Sequence, residues 1–124
     1  MLVWNQYEFI ECLGVLPEVD KYESSHVFRV EKDGLSLLLT VFDYAGDVYV
    51  NLFREGVETP VFSMRLLDCK GARYVRDKRG DFIEFAPANS FFGRHDGEAS
   101  FPFGFRVTVN PHIRIEPFSR EGAF

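Results

Sequence analysis

The chain has 124 residues, of which 46% are hydrophobic and 27% are charged, and its formal net charge is −5. This length suffices for a core without metal or disulfide, so residues 1–124 are expected to form one domain. No apolar run of about 18 residues and no basic leader followed by an apolar stretch occurs in the sequence. We therefore predict a cytoplasmic protein without a membrane partner.

Charge is distributed unevenly along the chain. Residues 1–63 contain 11 acids and 4 bases, a net charge of −7, whereas residues 64–124 contain 8 acids and 10 bases, a net charge of +2. Nucleic-acid binding requires a basic surface, so the first half predicts a basic protein partner and no nucleic acid. The alternative is that these acids only solvate loops and edges; they include Glu18, Asp20, Glu23, Glu31 and Asp33.

Two cysteines are present, at positions 12 and 69. Their separation matches no metal-ligand spacing and no redox motif. We expect two reduced, buried thiols, which favours a reducing compartment.

The N-terminal segment carries a helix signature. Asn5 and Glu8 have the spacing of a capping box, and Gly14 and Pro17 supply a stop signal. A helix over Gln6–Leu13 is predicted, because a strand would separate apolar from polar residues less well.

From residue 27 onward, apolar and polar residues alternate with the period of β-strands. The pair Asp33-Gly34 predicts a tight hairpin with a primed turn, since both positions tolerate a positive φ. A second hairpin is expected around residues 77–80. Eight strands are predicted, over residues 27–32, 35–42, 48–54, 62–69, 72–76, 81–86, 105–109 and 113–115.

Short connections without helical crossovers predict antiparallel pairing and exclude a parallel α/β fold. The run LSLLLTVF is apolar on both faces, so the central strands are expected to be covered on both sides. The predicted fold is mainly β (α+β): an antiparallel two-layer sandwich, or a strongly curled sheet, with the short helix closing one end.

Alternation stops between Pro87 and Gly104, in the segment PANSFFGRHDGEASFPFG. Loops on a rigid scaffold carry function more often than the strands beneath them. The phenylalanines of this segment either cap the open end of the fold or form the anchors of a binding surface with charged rims. The residues concerned are Phe91, Phe92, Phe101 and Phe103, with Arg94, His95, Asp96 and Glu98.

Catalytic and metal chemistry find little support in the sequence. His95, Asp96 and Glu98 have no further ligand at a recognised spacing, although His26 or His112 could approach them. The run Ser24-Ser25-His26 does not supply a triad, because adjacent strand residues point to opposite faces. The basic residues of segment 70–79 are typical of a charged edge that discourages aggregation. We predict a non-enzymatic protein without metal or cofactor.

In its general plan the whole chain resembles the small bacterial immunity proteins of polymorphic or contact-dependent toxin systems. Segments such as LLLTVFDYAGDVYVNL and VTVNPHIRIEPF contribute to this resemblance. It implies stoichiometric binding of a cognate toxin, with an acidic patch attracting a basic toxin domain. The partner-binding candidates are Phe91, Phe92, Arg94, His95, Asp96, Glu98, Glu18, Asp20 and Glu23.

Two other functions stay open at this point. One is a small-molecule or sugar-binding β domain that uses the 87–104 loop, with His95 or His112 pointing inward. The other is a homo-oligomeric subunit, such as a homodimer, that pairs through strand faces carrying Tyr49, Asn51 and Phe53.

Overall fold

The computed structural model describes residues 2–78, 80–86 and 103–119. These residues form two antiparallel sheets, with the strand orders β1-β2-β3-β4-β5 and β6-β7-β8-β9, and one helix. The mainly β prediction is confirmed, in its two-sheet form. The elements are α1 (Gln6–Leu13), β1 (Glu18–Val19), β2 (Ser25–Lys32), β3 (Leu35–Phe42), β4 (Asp47–Arg54), β5 (Phe62–Leu66), β6 (Gly71–Asp77), β7 (Gly80–Ala86), β8 (Phe103–Thr108) and β9 (Arg114–Ser119).

Helix α1 has the predicted bounds. The side chain of Asn5 accepts a hydrogen bond from the Tyr7 N–H at 2.9 Å, and Gly14 ends the helix with a φ of 75°. Glu8, the other member of the predicted capping box, instead accepts from the backbone N–H of Tyr74 at 3.1 Å. Tyr74 lies on β6, an edge strand of the second sheet, so this bond ties the helix to that edge. It also gives an acceptor to a backbone N–H of the edge strand.

All eight predicted strands are present. The ninth, β1, was missed because two residues carry no alternation signal. The fourth predicted strand, over residues 62–69, is too long at its C-terminal end, because β5 ends at Leu66. Asp33 and Gly34 have φ angles of 54° and 77°, which confirms the primed turn between β2 and β3.

Burial on both faces occurs in a different strand from the predicted one. In β3 the residues that face the core are fully buried, but the residues between them, on the outer face, are only half-buried. The prediction that both faces of this strand are covered is therefore correct for one face only. In β7, by contrast, residues 82–86 are all buried. Among them the Glu84 carboxylate is 0% exposed and accepts from Arg106 at 3.1 Å and Arg73 at 3.4 Å. The two cations compensate for burying this charge.

One hydrophobic core takes residues from both sheets and from α1. The Phe9 ring, on the helix, lies 5.4 Å from the Phe28 ring of the first sheet and 5.7 Å from the Phe85 ring of the second. Phe85 in turn stacks on Phe105 at 4.5 Å. Phe9 therefore connects the two layers.

Both cysteines are buried and free, as predicted. Burial raises the pKa of the Cys12 thiol to about 12 and that of the Cys69 thiol to about 11. The Cys69 thiol donates to the Ala86 carbonyl at 2.7 Å. Both side chains are therefore protonated at neutral pH and act as small apolar core residues.

The β3–β4 turn is fixed by a close backbone crossing. The Cys69 N–H donates to the Gly46 carbonyl at 2.7 Å, and the Leu2 N–H donates to the Asp43 carbonyl at 3.0 Å. A Cβ atom on Gly46 would lie 2.9 Å from the Cys69 carbonyl oxygen. The turn that carries Asp43 and Tyr44 is thus held by two other segments of the chain.

Within the described ranges no helix is long and apolar enough to cross a membrane.

We expect Gly46→Ala to destabilise the protein more than Gly56→Ala. Both glycines have a positive φ, 76° and 81°, but only Gly46 meets backbone within 4 Å. The additional loss should be about 1–3 kcal/mol, the usual cost of overpacking. Urea unfolding of both variants measures it, and equal losses would mean that the crossing tolerates a side chain.

Candidate functional site

A cleft of about 630 Å³ opens at one end of the first sheet. It lies where the segment before α1, the β1–β2 turn and the β3–β4 turn meet. Its floor contains Trp4, His26 and Asp43, and its rim carries Tyr7, Tyr22, Tyr44 and Glu23. We call it the tyrosine cleft.

The rim presents three tyrosines to solvent. Tyr7, Tyr22 and Tyr44 are 71%, 77% and 75% exposed. A tyrosine supplies a large, rigid apolar face and one hydroxyl, which is why this residue is enriched at protein interfaces and at their energetic centres. Three such side chains around one depression are typical of a recognition surface.

The floor is held by a hydrogen bond between the side chains of His26 and Asp43. His26 Nδ1 lies 2.9 Å from Asp43 Oδ1, and the Trp4 ring packs edge-on against the imidazole with centroids 5.0 Å apart. The His26 side chain is only 9% exposed, whereas the Asp43 side chain is 28% exposed. The cleft therefore offers the Asp43 carboxylate to a ligand, and the imidazole serves to position it.

Asp20 builds the turn that carries Tyr22 and Glu23. Its Oδ1 accepts from the Ser24 N–H at 2.6 Å and the Ser25 N–H at 3.0 Å, and its Oδ2 accepts from the Ser24 hydroxyl at 2.6 Å. Glu23 has a φ of 56°, a conformation that residues other than glycine adopt at a cost. Asp20 thus acts as a positioning residue, and Glu23 stands on the rim.

The remaining acidic candidate lies beside this turn. Glu18, on β1, pairs with Arg29 at 3.4 Å, and both side chains are more than half exposed. Such an exposed pair contributes little to stability, so either charge can be redirected toward a partner.

The loop candidates lie outside the described residues, and their role stays a prediction. They are Phe91, Phe92, Arg94, His95, Asp96 and Glu98, together with Phe101.

The other predicted sites fall at separate places. His112 is exposed and pairs with Asp33 at 2.8 Å, so it does not line the tyrosine cleft with His26. Within the described residues no group of three His, Cys, Asp or Glu side chains could hold a metal ion. Tyr49 lies on the outer face of the first sheet, half-buried between Phe42 and Arg65.

Strand β6, which carries most of the basic segment, is an edge strand as predicted. Its cations are used inside the fold: Arg73 pairs with Glu84 on β7, and Arg76 pairs with Glu11 on α1. The Arg76 guanidinium also lies 4.6 Å from the centre of the Tyr74 ring. This segment therefore links the helix to the second sheet.

Sequence reasoning missed the tyrosine cleft. Trp4, Tyr7, Tyr22, Asp43 and Tyr44 come from segments far apart in the chain, and only the fold brings them together. Two weak signals were present, because Tyr22 and Tyr44 are bulky aromatics within turns, where small polar residues are usual.

No protein-family model matches the sequence, and no curated protein matches it. A solved chain of a contact-dependent growth inhibition toxin–immunity protein complex from Klebsiella pneumoniae 342 has a similar structure. The TM-score is 0.72, the match covers 94% of this chain and 96% of that chain, and 13% of the residues are identical. The predicted resemblance is therefore confirmed at the level of the fold.

We expect the pKa of the Asp20 carboxyl to lie below its ordinary value of 3.8, chiefly because the Ser24 hydroxyl donates a hydrogen bond to it. A pKa that folding lowers favours the folded state above the ordinary value, and this contribution disappears as the pH falls through the lowered pKa. NMR titration of the carboxyl carbon measures it, and Ser24→Ala should return the pKa toward 3.8. An unchanged midpoint in Ser24→Ala would assign the shift to the backbone donors.

Proposed function

We propose that this chain is an immunity-type protein that neutralises a cognate toxin domain in the cytoplasm by binding it one to one, without catalysis. The observation that carries the proposal is the fold shared with a chain of a toxin–immunity protein complex, over nearly the full length of both chains.

Charge supports a basic partner. The first half of the sequence has a net charge of −7, and the acidic side chains of Glu18, Glu23 and Asp43 lie at the end of the first sheet where the cleft opens. Opposite charges on two proteins accelerate their encounter and fix their orientation. An acidic surface of this kind suits a toxin domain whose own surface is basic.

The cleft geometry favours binding over catalysis. Exposed tyrosines surround it, while the imidazole that could serve as a general base is buried and engaged with Asp43. A general base must reach the proton that it removes. Aromatic side chains beside carboxylates instead match the anchors and polar rim of a protein interface.

Co-expression in a bacterial host tests the function directly. We expect the chain alone to leave growth unchanged, and to restore growth to cells that are arrested by the product of the gene directly upstream of its own. The two proteins should then elute as a one-to-one complex in size-exclusion chromatography with light scattering. Growth arrest by this chain alone, or failure to bind and protect against the upstream product, would contradict the proposal.

Two double variants locate the contact surface. Tyr22→Ala with Tyr44→Ala should weaken partner binding about 30-fold or more, since a loss of about 2 kcal/mol, as expected from one tyrosine at the energetic centre of an interface, corresponds to that factor. Phe92→Ala with Asp96→Ala tests the sequence-predicted loop and should weaken binding with little change in the melting temperature.

Val57→Ala with Val61→Ala is the matched control. These side chains are 47% and 57% exposed and lie in the β4–β5 connection, at the opposite end of the first sheet. Binding should be unaffected by this pair. Unchanged affinity in both test variants would place the interface elsewhere, and a large loss of stability in the loop variant would make that loop part of the core.

A further inference from the structure

We propose that the tyrosine cleft binds one arginine side chain of the partner protein, pairing its guanidinium with the carboxylates of Glu23 and Asp43 and packing it against the tyrosine rings. The inference rests on the proposed function, because it assumes a protein partner. It goes further by naming the side chain that the cleft recognises.

The charged residues that line the cleft are acidic. Its lining includes two carboxylates, on Glu23 and Asp43, and no lysine or arginine. Asp43 uses Oδ1 to hold His26, which leaves Oδ2 as an acceptor, and Glu23 pairs with no cation among the described residues. A cation that enters between them gains charge-assisted hydrogen bonds, which are stronger than those between neutral groups.

The rings supply the second half of the recognition. A guanidinium is planar and weakly hydrated, so it packs on aromatic faces while its N–H groups remain directed at acceptors. The Tyr22 ring already supports a cation, since Lys21 Nζ lies 5.2 Å from its centre. Elsewhere in the chain the Arg65 guanidinium lies 4.9 Å from the centre of the Tyr49 ring, so the same contact recurs within the fold.

The Asp43 carboxylate and the backbone turn that carries Glu23 are held in place before any partner arrives. The side chain of Asp20 fixes the turn that displays Glu23 in its positive-φ conformation. Trp4 and His26 fix Asp43 from below. A site whose groups are ordered in advance loses less conformational entropy on binding.

The size of the cleft fits an anchor residue with its neighbours. A volume of about 630 Å³ lies within the range of sites that enclose small ligands and exceeds what one guanidinium occupies. The arginine therefore enters as the central residue of a protein segment, with the tyrosine rim closing around its flanks.

NMR titration of the full chain with N-acetyl-arginine N′-methylamide at low salt tests the proposal. The probe should shift the indole N–H of Trp4, the sole tryptophan of the chain, and the amides of residues 20–24 and 43–46 in a saturable manner. The citrulline analogue has nearly the same shape without the charge, and should bind about tenfold more weakly. The lysine analogue should also bind more weakly, because it cannot pair in a planar fork.

Glu23→Gln should weaken arginine binding about fivefold or more, whereas Glu58→Gln, an exposed acid in the β4–β5 connection, should leave it unchanged. Three results would each overturn the assignment: no saturable shift at the cleft, equal binding of the citrulline or lysine analogue, or full binding to Glu23→Gln. These failures are distinguishable from failure of the proposed function. A chain that protects cells from its toxin yet ignores arginine would bind that toxin through other contacts, whereas arginine binding without protection would point to a different protein partner.

Discussion

The packing of the Phe9 side chain between the two sheets is the interaction on which the fold depends. This side chain projects from an eight-residue helix that is too short to be stable by itself, and it packs between Phe28 of one sheet and Phe85 of the other. Helix and sheets therefore stabilise one another. The Phe85 ring meets the Phe9 ring edge to face, with an interplanar angle of 86°, and this contact adds a preference for one orientation of the helix.

The same cluster extends outward to the candidate site. Trp4 lies 4.9 Å from Phe9 and 5.0 Å from His26, and His26 in turn binds Asp43. The floor of the tyrosine cleft is thus the outer layer of the core. The rim is different, because its tyrosines are exposed and contribute little to the core, which leaves the rim chemistry free to vary without loss of the fold.

Local signals accounted for most of the fold and for little of the site. The helix bounds follow from Asn5 and Gly14, and the β2–β3 hairpin follows from Asp33-Gly34, since caps and primed turns depend on adjacent residues. The burial of Glu84 had no such signal, because it requires arginines from the two neighbouring strands. The cleft combines three segments that are distant in sequence, and alternation does not tell which turns share one end of a sheet.

Ion pairs within the fold decide which charged side chains remain available at the surface. The second half of the chain has a net charge of +2. Within it, Arg73 and Arg106 form ion pairs with the buried Glu84, and Arg76 forms an ion pair with Glu11 of the first half. These three arginines are therefore engaged in ion pairs within the fold, and the pairing leaves the net charge unchanged. Glu23 and Asp43, the carboxylates that line the cleft, form no ion pair with a lysine or arginine among the described residues, and they lie beside the exposed tyrosines. Carboxylates and exposed aromatic rings thus occur together at one end of the first sheet, and the proposed binding of a basic partner rests on this combination.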